Sequence, residues 1–379
     1  MNRVTDLSFS LNTTVMKIIG LYPSDSSKIL HEKYAYVIYI VTMIPVAIFC
    51  LLHFTSAANI TNFKSNDFWM IGIIFYTIKF FPCLKKRNKI KYCIHYFDDF
   101  DYSGEKSDYN EILDECISTC RRNSKIFFLG CVGAIIGLIG QTLMNLNELP
   151  INIWLPKFVI EKPVYFHTMQ FLTLSAATYS GLACGTVDPL MGGLCHHATA
   201  QVRILKQNLQ NLERFLPELR DKVAESRIIY LEIKKCARHH QIIQNFVHEY
   251  QSCFASVIFT QFVASSLVIA FLCFQLSRMT MGLNFLTVAN DLVVATLQTL
   301  FYCYYGTLLI EESQSVSDAI YMSRWYEYDM QCKKALILLM ERSKKPMTVT
   351  AKILELSLAT FTMILKRTYS FLAVLENFS

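Results

Sequence analysis

Charge is scarce in this chain: Asp, Glu, Lys and Arg make up 17% of its 379 residues, against 53% hydrophobic. Soluble chains carry about 25% charged residues, so a surface solvated by water along its whole length is excluded. There is no glycine-rich phosphate loop, no nucleophile elbow and no paired metal-binding His motif, which leaves no signature of nucleotide, hydrolase or zinc-protease chemistry. The first 35 residues lack a short apolar core with a cleavage site. They predict no signal peptide, and the first span then acts as the insertion signal.

Cysteine is plentiful, thirteen residues in all, yet none falls where a disulfide would form. Cys50, Cys131, Cys184, Cys253, Cys273 and Cys303 lie in apolar runs. Cys83, Cys93, Cys116, Cys120, Cys195, Cys236 and Cys332 lie in or beside segments assigned below to the reducing cytoplasm. Free thiols packed as small hydrophobes are expected.

What the sequence does have is long apolar runs. A bilayer span takes about 20 mostly apolar residues, and segments 36–58, 68–84, 126–146, 165–187, 252–276, 283–310 and 353–375 qualify or nearly so. The chain therefore reads as an all-α polytopic membrane protein with seven transmembrane helices. Residues 1–35 hold Arg3, Lys17, Lys28 and Lys33, and residues 85–125 hold nine more Lys and Arg, whereas the alternate loops are poor in both. The positive-inside rule then puts the N-terminus in the cytoplasm and the C-terminus outside. The glycosylation sequon Asn59-Ile60-Thr61 agrees, falling in an outer loop.

Three regions follow from this. Residues 1–187 carry the tail and helices 1–4, and 251–379 carry helices 5–7 with an inner segment 311–346 and a last helix in 347–379. Between them, 188–250 is polar with helical spacing at Leu205, Leu209, Leu212, Phe215 and Leu216, broken at Pro217. That pattern predicts a cytoplasmic helical extension that anchors a neighbouring subunit.

The C-terminal third reads Cys303-Tyr-Tyr-Gly306, Glu311-Glu312-Ser313, Tyr321-x-x-x-Trp325, then Pro346 and finally Arg367-Thr368-Tyr369-Ser370-Phe371-Leu372. These blocks resemble the insect odorant-receptor family. Weaker echoes lie at Trp154-Leu155-Pro156, at Asp188 through His197 to Gln201, and at His240-Gln241. One departure is clear. The family often has Thr-Ala-Gly after the proline, and the Thr348-Val349-Thr350-Ala351 stretch lacks the glycine, which leaves the start of the last helix open.

The resemblance implies an odorant-gated, non-selective cation channel, formed as a heterotetramer with a common co-receptor in the plasma membrane of olfactory neurons. The segment between helices 4 and 5 is shorter than a co-receptor's, so a tuning subunit is implied. The last helix would line the pore, with Val374 and Phe378 in an apolar ring and Asn377 between them. Residues four apart share a helix face, and several such faces around one axis can gate by dewetting. The family's odorant site lies among helices 2, 3, 4 and 6, where Phe75, Tyr76, Gly137, Gln141, Met169, Thr173, Asn284 and Thr287 are candidates for a small, volatile, apolar ligand. A Gly133-x-x-x-Gly137 pair equally serves close helix packing.

Ionisable residues inside spans point to function. Asp291 and Lys366 lie about 12 and 14 Å from the outer ends of their spans at helical rise, so pairing of Asp291 with Lys366 or Arg367 is expected. Arg367, seven residues before Val374, shares the gate's helical stripe, so either the helix rotates there or only a minority of subunits carry its charge at the pore. Lys79, at the inner end of the second span, is expected to snorkel to the interface.

Other readings fit less well. Cys195, His196 and His197 with Cys236, His239 and His240 match no standard zinc spacing, so no metal or other cofactor is expected, and no enzyme activity. The Lys-rich runs at 85–91 and 333–345 flank spans and suit anionic lipid better than nucleic acid. A G-protein-coupled chemoreceptor has the opposite orientation, and neither Asp-Arg-Tyr nor Asn-Pro-x-x-Tyr is present. A gustatory-type homomeric channel would end in Thr-Tyr-x-x-x-x-x-Gln-Phe, where this chain has Leu375-Glu376.

Overall fold

The computed structural model describes residues 4–24, 28–56, 67–98, 109–146, 148–151, 153–156, 159, 162–215 and 222–377. Its helices are α1 (Val4–Ile18), α2 (Lys28–Ser56), α3 (Asp67–Lys85), α4 (Arg87–Ile94) and α5 (Asn110–Met144). They continue as α6 (Pro163–Gln210), α7 (Lys222–Arg278), α8 (Leu283–Tyr321), α9 (Met330–Ser343) and α10 (Leu358–Asn377). The sequon and Phe378 lie outside the described residues.

Helix α5 shows why these helices need lipid. Leu129, Ile136 and Leu143 recur every seven residues on one face and are all more than 60% exposed. Cys131, Ile135, Leu138 and Thr142, on the opposite face, are buried. Leaving a large apolar side chain in water forgoes about 1.5–3 kcal/mol, so a row of them marks a face solvated by hydrocarbon. By length and apolar composition, α2, α5, α7 and α8 are sufficient to cross a membrane. The other expected spans lie in α3, α6 and α10.

Helix α6 is the hub of the bundle, touching α1, α2, α3, α5, α7 and α8. Its sequence explains this: Ala176, Ala177, Gly181, Ala183, Cys184, Gly185, Gly192 and Gly193 let neighbouring backbones come close. Phe9 of α1 fills the space a side chain at Gly193 would take, and Asn12 donates to the Thr186 carbonyl at 2.8 Å. The N-terminal segment is therefore a docked helix, held by a fully buried Phe9 and Met16.

Residues 188–250 are helical on both sides of residues 216–221. Leu205, Leu209 and Leu212 are fully buried within the chain itself, while Phe215 to Pro217 fall where no side chain is described. The extension is tied to α8 by Glu312, which bonds Arg203 at 2.9 Å and Lys206 at 2.7 Å. Two cations of the 85–91 run are also used internally, Arg87 with Glu32 and Lys89 with Glu249.

The last helix begins at Leu358, later than the apolar run from 353 suggested. A two-stranded hairpin pairs β1 (Thr350–Ala351) with β2 (Leu354–Glu355) and holds the chain extended ahead of it. Lys352, at its turn, has a φ of 60°, a left-handed conformation that glycine adopts freely and other residues at a cost. It directly follows Thr350-Ala351, where the family's glycine was missing. The hairpin lies against Gly306 of α8, whose missing side chain makes room for the Leu356 carbonyl. All thirteen cysteines are free, and all but Cys273 are buried.

Candidate functional site

An internal cavity opens between α3, α5, α6, α7 and α8. It offers about 60 Å³ to the centre of a water molecule, and one water needs about 10–15 Å³ of such space. A few waters or a small organic molecule would fill it. Tyr76 and Trp69 come from α3, Cys131 from α5, and Gly181 and Cys184 from α6. Val268 and Leu272, one turn apart on α7, face Asp291, Val294 and Gln298 of α8. Small residues open the space, aromatic and aliphatic side chains wall it, and one carboxylate and one amide supply polarity. That is the composition of a small-molecule pocket.

Beside the cavity is a buried polar cluster. The Lys79 ammonium donates to Asp188 at 2.6 Å and to Gln261 at 2.7 Å. Gln298, a cavity residue, donates to the other Asp188 oxygen at 2.9 Å and accepts from Gln261 at 2.9 Å. The Tyr302 hydroxyl donates to Asp188, and Gln261 continues to Ser265 at 2.9 Å. Lys79 and Asp188 are 1% and 0% exposed. Lys79 does not snorkel: α3 turns it inward, where a buried carboxylate and a glutamine replace water. Sequence reasoning passed over this pair, although a lysine within the second expected span and an aspartate just after the fourth, at 188, were a signal for it.

The expected ligand residues scatter. Among those with described side chains, Tyr76 alone lines the cavity. Phe75 packs against the hydrophobic core. Gly137 lies against Thr287, and Gln141 donates to the Thr287 hydroxyl at 3.0 Å, so these three form a contact between α5 and α8. Gln141 also borders a second cleft of about 250 Å³ with Asn145, Glu148, Gln275 and Met279. Thr173 is buried and donates to the Met169 carbonyl at 3.0 Å, and the Asn284 side chain lies outside the described residues. Val268 and Leu272 were missed because the fifth helix was not expected to contribute.

Asp291 faces the cavity, whereas Lys366 and Arg367 are exposed on α10. Among the described residues no ion pair joins them. Equal depth did not bring them together, because Asp291 turns into the bundle while Lys366 and Arg367 turn out of it. Val374 and Asn377 lie on α10, but nothing of their side chains is described. On the same helix, the Thr368 hydroxyl donates to the Ser266 carbonyl of α7 at 3.3 Å, two residues before the cavity residue Val268.

The His and Cys residues regroup as well. Cys116, Cys120 and His197 place one ligand atom each within 4.8 Å of one another. His197 is already bonded to the Ser8 hydroxyl at 2.9 Å, and Cys120 to the Gly193 carbonyl at 3.8 Å. His239 donates instead to Gln201 at 3.1 Å.

Comparison with known proteins agrees with this architecture. A family model described as 7tm Odorant receptor matches residues 59–369, and the chain belongs to that family. Odorant receptor Or1 of Anopheles gambiae is 21% identical over 98% of this chain and 95% of its own. Odorant receptor 45a of Drosophila melanogaster is 24% identical over 98% of each. Odorant receptor 22c of Drosophila melanogaster is 24% identical over 66% of this chain and 61% of its own. Among solved structures, the insect olfactory receptor OR5 from Machilis hrabei in complex with eugenol superposes with a TM-score of 0.81 at 12% identity. That match covers 98% of this chain and 97% of the other. A second structure of the same receptor gives 0.76 at 15% identity, over 97% and 96%. The fold is thus that of an insect olfactory receptor, an all-α membrane protein and not an enzyme.

Proposed function

We propose that this chain is an odorant-binding tuning subunit of a ligand-gated, non-selective cation channel, assembled as a heterotetramer with a co-receptor in the plasma membrane of olfactory neurons. The observation that carries the reading is the shared use of α7 and α8. These helices wall the cavity through Val268, Leu272, Asp291 and Gln298, and the same two helices hold α10. A ligand that favours one spacing of α7 and α8 therefore biases the position of α10. Opening then follows from the difference in affinity between the two states. The similar OR5 receptor is in complex with eugenol, which supports a small organic ligand here.

In this reading the N-terminus is cytoplasmic and the C-terminus extracellular. Helix α10 lines the pore, with Val374, Asn377 and Phe378 at its outer constriction. Arg367 shares the Val374 stripe, so a tetramer with few copies of this subunit carries little positive charge in its cation path. The 188–250 extension serves as the subunit anchor, and basic residues near the inner membrane surface meet anionic lipid.

The test is expression with and without a co-receptor while currents are recorded during a panel of volatile esters, alcohols, aldehydes and terpenes. Fast currents that persist in excised patches without GTP, and that need the co-receptor, are the expected result. Signalling that requires GTP and leaves the patch silent overturns the channel reading. Currents without a co-receptor make the chain a self-sufficient channel.

A further inference from the structure

The cavity has one feature that a site for purely apolar volatiles does not require. Asp291 brings a carboxylate to a wall otherwise built from Trp69, Tyr76, Val268, Leu272 and small residues. Among the described residues it has no Lys or Arg partner. Its neighbour Asn290 donates to the Gly130 carbonyl at 3.3 Å and carries no charge. The nearest buried cation, Lys79, is committed elsewhere, to Asp188 at 2.6 Å and Gln261 at 2.7 Å. The Lys79–Asp188 pair is neutral as a unit, so the cavity region carries one uncompensated acidic group.

We propose that the preferred ligands of this chain are small primary amines, bound as ammonium ions with the nitrogen at Asp291 and the hydrocarbon tail against Val268 and Leu272. This deepens the receptor reading above and rests on it. A carboxylate set in an apolar wall is stabilised by a paired cation, and an ammonium group supplies both charge and hydrogen-bond donors. The ring of Trp69 suits it further, because aromatic faces attract cations. An alcohol of the same shape can donate one hydrogen bond to Asp291 but leaves the charge uncompensated. A cavity of about 60 Å³ favours short-chain members of the class.

The experiment compares 3-methylbutan-1-amine with 3-methylbutan-1-ol, which differ only in the head group, in cells that express the chain with a co-receptor. Surface epitope counts verify delivery of every variant. The wild type should respond to the amine at a concentration at least tenfold lower than to the alcohol. Asp291→Asn should lower the ratio of amine to alcohol sensitivity at least tenfold, and Asp291→Glu should keep the amine preference. Equal sensitivity to both compounds, or preference for the alcohol, overturns the amine proposal and leaves the receptor reading intact. The wild-type comparison decides this even where a variant fails to reach the surface. Absence of any current to amines or to the wider panel, with protein at the surface, removes both.

Discussion

Lys79 and Asp188 form an ion pair at 2.6 Å with both side chains essentially fully buried, joining α3 to the central helix α6. Removing one partner of such a pair leaves an uncompensated charge and costs about 3–5 kcal/mol. Lys79→Met should therefore lower the thermal stability of the detergent-solubilised protein sharply. Lys79→Met with Asp188→Asn should recover much of the loss, because the second change removes the orphaned charge while Gln298 and Tyr302 keep partners at position 188. Equal melting temperatures for the single and double variants would show that the pair is not the source of the stability.

Gly306 and Leu356 bring the hairpin onto α8. A methyl group at Gly306 would meet the Leu356 carbonyl carbon and oxygen, which belong to backbone and cannot rotate away. Gly306→Ala should cost about 1–3 kcal/mol by overpacking and should shift the hairpin that leads into α10. Ligand-evoked current per receptor at the cell surface should fall further than surface delivery itself. A variant with unchanged current per receptor would show that the hairpin yields without moving the helix.

The Thr368 hydroxyl reaches the Ser266 carbonyl at 3.3 Å. Thr368→Val keeps the shape and removes the donor, at a cost of about 1 kcal/mol. If the bond exists in only one gating state, half-maximal ligand concentration should change about fivefold, while an equal bond in both states leaves it fixed. Dose–response curves at matched expression decide between the two.

Beyond the spans, burial pushes the His239 imidazole down to about 3 and the His240 imidazole to about 4, from 6.5. A histidine whose folded pKa is depressed binds fewer protons folded than unfolded. Its stabilisation is therefore complete above 6.5 and is lost as pH falls toward the folded value. The melting temperature should decline between pH 6.5 and 4, and more gently in His239→Gln, which retains an amide donor for Gln201. An identical slope in the variant would place the acid sensitivity elsewhere.

Much of this architecture is legible in the residues themselves. Apolar runs of membrane length dictate helices, since a bilayer leaves backbone groups no other partners, and the C-terminal motifs mark the family. The pocket was less legible. Asp291 is legible as an ionisable group inside a span, but its depth assigns it no partner. Depth along the membrane says nothing of the angle around each helix.

The sequence by itself determined the number of apolar segments, the basic loops between them and the presence of a few charges too costly to place in lipid. Tertiary structure alone decided which charges meet, that Lys79 pairs with Asp188 while Asp291 faces a cavity. It also decided that Val268 and Leu272 of α7 join the pocket wall. The reason is geometric: periodicity assigns a residue to a face of its own helix, and only packing between helices assigns that face a neighbour.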